Sequence, residues 1–480
     1  MTRLAPAPGR RRTLMAGSVL AAVLTAGVTA SAGADTPLTP SDVLTSVERS
    51  LPLLERARQD VTLATGELTE AQGGFDLSLS SSAKSSRGLY DNDRFTALLQ
   101  QPLAPLGVTT YGGYRTGDGT FGTYDSRALT YSGGEAVLGL SIPLLRNRDL
   151  DARRADRQVA TLGVSVAEQG LAKARLSYFK DALGEYWDWV AAGRQLAIAK
   201  ALLDLALARD QQLADSIALG QTAPVERTDN RRAILQRQSA LVGAERQLQL
   251  QAIDLSLYLR GGDGTPVRPD VTRLPALPQP EGPVPIPDER ALIDVALARR
   301  PELQSLRLKR DQLDVDLRLA SNNRLPSLDF SVETNRDFGT AIKGAGPGTE
   351  AGLTFTFPLQ NRKASGKRAQ IQAKRSGVSA ELRWAEDRVR ADVQDAVSAL
   401  RATAATLDVI AQEVTVAREL EGLERDRFAL GDSTQFLVNL RELATADAEL
   451  REVKALADYQ KALVTLEAAT GQLLDRAPAP

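Results

Sequence analysis

The 480-residue sequence contains no cysteine and no histidine. Their absence removes disulfides, thiolate nucleophiles, Cys/His zinc sites and imidazole acid–base catalysis. An excess of either charge is also missing. Against 60 Asp+Glu stand 59 Lys+Arg, a balance that points to no nucleic-acid partner. Beyond the N-terminus there is no long uncharged apolar run, so no transmembrane helix is expected in the mature chain. Acids and serines are plentiful, but no spacing singles out a nucleophile, a base or a phosphate loop. No catalytic, cofactor-binding or metal-ligating residue is therefore assigned, and no enzymatic activity is expected.

What is present begins with an export pattern. Arg10, Arg11 and Arg12 precede an apolar stretch from Leu14 to about Val28, and small residues follow. The stretch is short for a membrane span, and "ASA" at Ala30–Ala32 suits a signal-peptidase cut after Ala32, with Ala34 as a second option. Residues 1–32 are read as a signal peptide. No cysteine follows the cut, so the expected mature N-terminus carries no lipid.

The rest of the chain is one unit written twice. Residues 38–260 and 288–471 each run helix, strand pair, very long helix, tight turn, shorter helix. A proline-rich linker over 261–287 joins them, and 472–480 form a short tail. In the first unit Thr39 and Pro40 start a helix that Pro52 interrupts; in the second Pro301 makes the corresponding break. The strand windows 75–143 and 326–358 hold most of the Phe and Tyr. "LSIPLLRNR" (Leu140–Arg148) and "FTFPLQNR" (Phe355–Arg362) mark the change from strand to helix, with Pro143 and Pro358 at the junctions. Proline has no N–H to leave unpaired where a strand ends, and its fixed φ can start a helix. Long helices are expected over 144–219 and 359–430, at 1.5 Å per residue each roughly 110 Å long.

"ALG" closes both long helices, at Ala218–Gly220 and Ala429–Gly431. The tip turns comprise Ala218, Leu219, Gly220, Gln221 and Thr222 in the first unit. In the second they comprise Ala429, Leu430, Gly431, Asp432 and Ser433. Thr222, and Asp432 with Gln435, are candidate caps for the returning helices. In the last helix Phe436, Leu440, Leu443, Leu450, Val453 and Leu456 recur at coiled-coil steps and are expected to be core. Two strands per window make four per chain. Four strands cannot enclose solvent, but three copies supply twelve, within the range of outer-membrane barrels.

This pattern resembles the TolC-like outer-membrane efflux protein family over about 38–471. The resemblance is carried by "RRPELQSLRLKRDQLDVDLRLASNNRLPSLDFSVE", with Pro301-Glu302-Leu303 and Leu325-Pro326, by "GLTFTFPLQNR" and by "FALGDSTQFLVNLRE". It implies a mainly α fold with a β part: a trimeric α-helical barrel continuous with a 12-stranded transmembrane β-barrel, four strands per protomer. It further implies a passive exit duct in the outer membrane with a large periplasmic portion, a homotrimer in outer-membrane lipid that works with a periplasmic adaptor and an inner-membrane transporter. Where relatives carry a pore aspartate after the second tip, this chain offers Asn439 and Glu442 as constriction residues. The tip turns become the adaptor-docking and gating end. No cofactor is implied. The alternatives are a non-channel structural periplasmic coiled-coil protein and a periplasmic adaptor. The cargo is not written in the sequence.

Overall fold

Proline and glycine set the boundaries of the helices. The computed structural model describes residues 36–122, 128–280, 282 and 288–476; the expected signal peptide and both cleavage points lie outside them. Helix α1 (Pro40–Ser50) opens on a capping box: Thr39 Oγ1 accepts from Asp42 N at 3.2 Å, and Thr39 N donates to Asp42 Oδ2 at 2.9 Å. Helix α2 (Pro52–Gly73) follows after Leu51, which is held extended before the proline. The second unit repeats this with α5 (Glu289–Arg299), an extended Arg300 and α6 (Pro301–Asn322). The paired lengths are 11 and 22 residues in both units.

The long helices are α3 (Ala152–Ala218, 67 residues) and α7 (Arg362–Ala429, 68 residues). At about 1.5 Å per residue each is roughly 100 Å long. They return as α4 (Pro224–Ser256) and α8 (Gln435–Thr470). Helix α3 packs against α2 and α4 on one side and against α6 and α8 on the other; α6 and α8 also pack on α7. Four helices therefore lie abreast at each level, α2–α3–α6–α7 near the strands and α4–α3–α8–α7 near the tips. The stacked pairs are α2 over α4 and α6 over α8.

The linker crosses at mid-height and is pinned there. Leu277 packs against three separate apolar clusters, built around Phe179, Tyr186 and Trp189, around Val393 and Val397, and around Ile198 and Val453. Leu274 lies so close to α3 that a Cβ on Gly193 would sit 2.5 Å from its Cδ1. Tyr186 Oη donates to Leu38 O at 2.9 Å and fixes the residue before the α1 cap to the same level. The residues after α8 are not a loose tail as far as they are described: Leu473 is fully buried and Arg299 pairs with Asp475 at 2.6 Å.

The sheet has six strands where four are expected. They are β1 (Ser78–Ser86), β2 (Asn92–Pro102), β3 (Thr109–Gly119), β4 (Glu135–Pro143), β5 (Ser327–Asp337) and β6 (Gly348–Thr356), antiparallel in sequence order. The extra hairpin β2–β3 occupies the Gly/Ser/Tyr-rich stretch between the two strands anticipated in the first window. Its alternation is diluted by small residues, and single barrel strands carry a weak sequence signal.

The junctions also differ from expectation. Pro143 is the last residue of β4, opposite Asp329, but neighbouring hydrogen bonds continue: Leu144 N donates to Leu328 O at 2.7 Å and Arg146 N to Pro326 O at 3.3 Å. The helix starts at Ala152, not at residue 144. Asn147 (φ 72°) turns the chain, and Asp151 caps α3 by accepting from Arg154 N at 2.9 Å. The Arg154 side chain folds back onto Arg148 O at 3.0 Å and holds this connection. In the second unit Pro358 lies beyond the end of β6, and Asn361 (φ 41°) directly precedes α7. Neither proline starts a helix.

Candidate functional site

Both tips reverse through a left-handed glycine, Gly220 at φ 72° and Gly431 at φ 84°. This conformation disfavours residues with a Cβ. Ala218, Leu219, Gly220 and Gln221 are exposed, as are Ala429, Leu430, Gly431 and Asp432; Thr222 and Ser433 are half-buried. Leu219 and Leu430 are 72% and 80% exposed, so each tip presents one bare leucine at the end of the molecule. The caps are not those anticipated. Thr222 does not cap; Ala223 stands at the N-cap of α4 without a side-chain bond. In the second tip Thr434, rather than Asp432, accepts from Leu437 N at 3.4 Å. Ser433 donates to the buried Glu424.

Above the tips the joint between the two units is polar. The expected apolar stripe of α8 holds from Val453 onward, but Phe436, Leu440 and Leu443 are 55%, 48% and 40% exposed. The buried face there carries Gln435, Val438, Asn439, Glu442 and Thr445. Asn439 and Glu442, the candidate constriction residues, are thus both buried between the helices of the single chain. Glu442 is 1% exposed and takes hydrogen bonds from Arg209 on α3 (Nη1, 3.0 Å), Arg237 on α4 (Nη2, 2.9 Å) and Arg425 on α7 (3.4 Å). Asn439 Oδ1 accepts from Arg209 Nη1 at 2.7 Å. Arg237 also donates to Leu202 O at 2.8 Å. Burial pushes the Glu442 carboxyl up, but the bonds and charges of Arg209 and Arg237 outweigh this and hold it below the usual carboxylate range. One carboxylate thus ties three other helices to α8. Hydropathy periodicity misses it because the buried groups are charged; the sequence marks Glu442 only by its place after the second tip, not as a buried residue.

At the opposite end the ladder registers sort the six strands into two faces. Leu79, Phe95, Leu99, Leu138, Leu353 and Phe355 share one face and are exposed. The other face carries Lys84, Thr96, Arg115, Glu135, Glu333 and Asn335. Charges are paired across strands there: Arg115 bonds Glu135 at 2.7 Å and Glu333 at 2.6 Å, and Tyr111 Oη donates to Glu333 at 3.0 Å. Tyr111 reaches Glu333 by lying across β4 at Gly139, where a Cβ would meet its ring at 2.4 Å. Such a sheet, apolar on one face and charged on the other, is suited to lipid on one side and water on the other.

Every level ends in open edges on the same two sides. One side presents β1, α2 and α4, the other β6 and α7; β1 and β6 each have one described strand neighbour. Helix α7 exposes Val409, Val416 and Leu423, one per heptad, and α4 exposes Leu235 and Val242 at the same interval.

The arrangement defines the chain as having the fold of outer-membrane channels. Among solved structures it is similar to the MtrE outer membrane channel of Neisseria gonorrhoeae in its open state, with 14% identity over 92% of this chain and 91% of that one at a TM-score of 0.63. It is similar also to VceC of Vibrio cholerae (15% identity, 90% and 96% covered, TM-score 0.62) and to the CmeC outer membrane channel of Campylobacter jejuni (14%, 90% and 85%, TM-score 0.62). Residues 292–472, nearly all of the second unit, match the model of the outer membrane efflux protein family. No curated protein sequence matches the chain.

Proposed function

We propose that three copies close head to tail into a passive exit channel of the outer membrane, the last component of a tripartite efflux or secretion assembly. One observation carries this reading: sheet and helices leave complementary open edges on the same two sides of one chain. A heterologous contact of this kind builds a ring when its rotation closes. The β6/α7 side of one copy meets the β1/α2/α4 side of the next, and the heptad valines and leucines of α7 and α4 become a coiled-coil seam. The charged face of the sheet then lines water, the apolar face meets lipid, and the long helices reach about 100 Å into the periplasm. The tips are the end a periplasmic adaptor meets, and through it an inner-membrane transporter. Leu219 and Leu430 supply six exposed apolar contacts per ring, and the Glu442 joint holds neighbouring helical hairpins together in the closed state.

The test is electrical. Purified protein added to planar lipid bilayers should give discrete conductance steps, and its mass in mild detergent should be three copies. Assembled trimers that never conduct, even with the Glu442 joint removed, would identify a structural rod instead.

A further inference from the structure

The six-stranded sheet gives the ring a wider wall at the membrane than four strands per chain can build. Resting on the trimer proposed above, we infer that the transmembrane barrel has eighteen strands, with the β2–β3 hairpin an integral part of the wall, and that its bore matches the helical duct beneath it.

Three observations converge. The strands of the extra hairpin are 11 residues each, the others 9 or 11, and a tilted strand needs about 9–11 residues to cross a bilayer. Strand β2 continues the two-faced register, and β3 sets the small or aromatic residues Gly112, Tyr114 and Thr116 opposite Leu99, Ala97 and Phe95 of β2. Phe95, Ala97 and Leu99 of β2 sit opposite Ala83, Ser81 and Leu79 of β1 on the apolar face, while Thr96 and Arg94 sit opposite Ser82 and Lys84 on the other. A hairpin lying above the membrane would have no reason to keep that alternation in phase with both neighbours. The widths also agree. Six strands about 4.8 Å apart and tilted about 40° span roughly 38 Å of perimeter, whereas four span only about 25 Å. Four helices abreast, about 8–10 Å apart, span about 32–40 Å. Sheet and helices of one protomer thus occupy equal arcs of the ring only when all six strands are in the wall. An even strand number also keeps every seam antiparallel. Three copies give a barrel about 36 Å across its backbone, against about 24 Å for twelve strands, so a solute leaving the helical section meets no narrower wall.

The chain has no cysteine, so single substitutions report on a blank background. Phe95→Cys, Ala97→Cys and Leu99→Cys on one face, and Thr96→Cys, Leu98→Cys and Gln100→Cys on the other, are treated in native outer membranes with a charged, membrane-impermeant thiol reagent. The expected result is labelling of the second set at least tenfold faster than the first, together with a mass of three copies in mild detergent. Equal labelling of all six in a three-copy particle overturns the eighteen-stranded wall and leaves the trimer standing. A mass other than three copies overturns both. Should one cysteine variant fail to assemble, the other five still test the alternation.

Discussion

The helices of the two units are closely matched in length, yet their tips are held differently. Helices α4 and α8 start at equivalent positions, Pro224 and Gln435, after equivalent glycine turns. The position that is Glu442 on α8 is Arg231 on α4; the first is buried among arginines and the second is exposed. The first unit contributes the cations Arg209 and Arg237, and the second contributes the anion. A duplicated unit has thereby acquired two kinds of joint. Within a chain, α3 and α8 meet through a buried charge cluster. Between chains, under the proposed ring, α7 and α4 meet through valine and leucine. The charged joint depends on one exact partner set and fails abruptly when a member is lost; the apolar seam is proportional to the area it covers.

The largest expected effect comes from breaking the charged joint. Glu442→Ala leaves Arg209 and Arg237 buried without their acceptor, a loss of about 3–5 kcal/mol. Arg231→Ala at the equivalent place should stay within about 0.5 kcal/mol. Thermal unfolding and bilayer conductance check both: the first variant should melt earlier and open more often, and the second should match the parent. Equal behaviour would mean that the two joints do not differ.

Acid probes the same joint without mutation. The folded carboxyl of Glu442 lies below the ordinary range, so its contribution is complete above the unfolded value of about 4.3. It is lost as pH falls through the depressed folded value. Open probability should therefore be flat from neutral pH to about 5 and rise only in stronger acid. In Glu442→Gln that acid-dependent rise should disappear. A rise centred near neutrality would assign gating to some other group.

Next in size is the seam. Val416→Asp or Leu423→Asp places a charge where α7 meets the neighbouring α4, at a cost of about 1–3 kcal/mol or more per buried group. The particle mass should shift from three copies toward one, while the monomer keeps its helical circular-dichroism signal. An unchanged trimer would remove these heptads from the interface.

Much of this comparison is legible in the sequence where one residue type has one physical role. Pro52 and Pro301 fix the helix breaks, and Gly220 and Gly431 fix the reversals, because φ alone decides them. Other parts are legible only in three dimensions. The β2–β3 hairpin is only half legible: "VTTYGGYR" reads as strand-like and lies largely in β3, but Gly112, Gly113 and Gly117 dilute its alternation, and nothing in the sequence marks β2 as its partner. The start of α3 is not legible because Pro143 reads as a helix opener, while the real cap, Asp151, is an ordinary loop residue until Arg154 folds over it. The polar face of α8 is not legible because hydropathy assigns Phe436, Leu440 and Leu443 to the core and a glutamate to water. That inference fails when three arginines from other helices arrive at the same point.

The tip glycines give a smaller and symmetric effect. Nothing lies within 4 Å of a Cβ built on Gly220 or Gly431, so Gly220→Val and Gly431→Val meet only the backbone penalty of the left-handed conformation, about 1–2 kcal/mol. Trimers should still assemble in the outer membrane. If the tips are the docking end, export should fail in both variants; normal export in both would move the docking surface elsewhere.

The smallest effect is the most direct exchange between the units. Thr434 caps α8 by accepting from Leu437 N, whereas Ala223 leaves the first turn of α4 without a side-chain acceptor. The backbone at both positions is extended, φ −113° and −74°, so either site can hold a capping residue without rearrangement. Thr434→Ala should destabilise the second tip by about 1 kcal/mol, and Ala223→Ser should stabilise the first by about the same amount. Hydrogen exchange at the first amides of α8 and α4 reads the two ends separately: protection should fall about fivefold in one and rise about fivefold in the other. A fall without the matching rise would show that the first tip is held open by something other than its missing cap, and the exposed Val225 in its first turn is then the residue to change next.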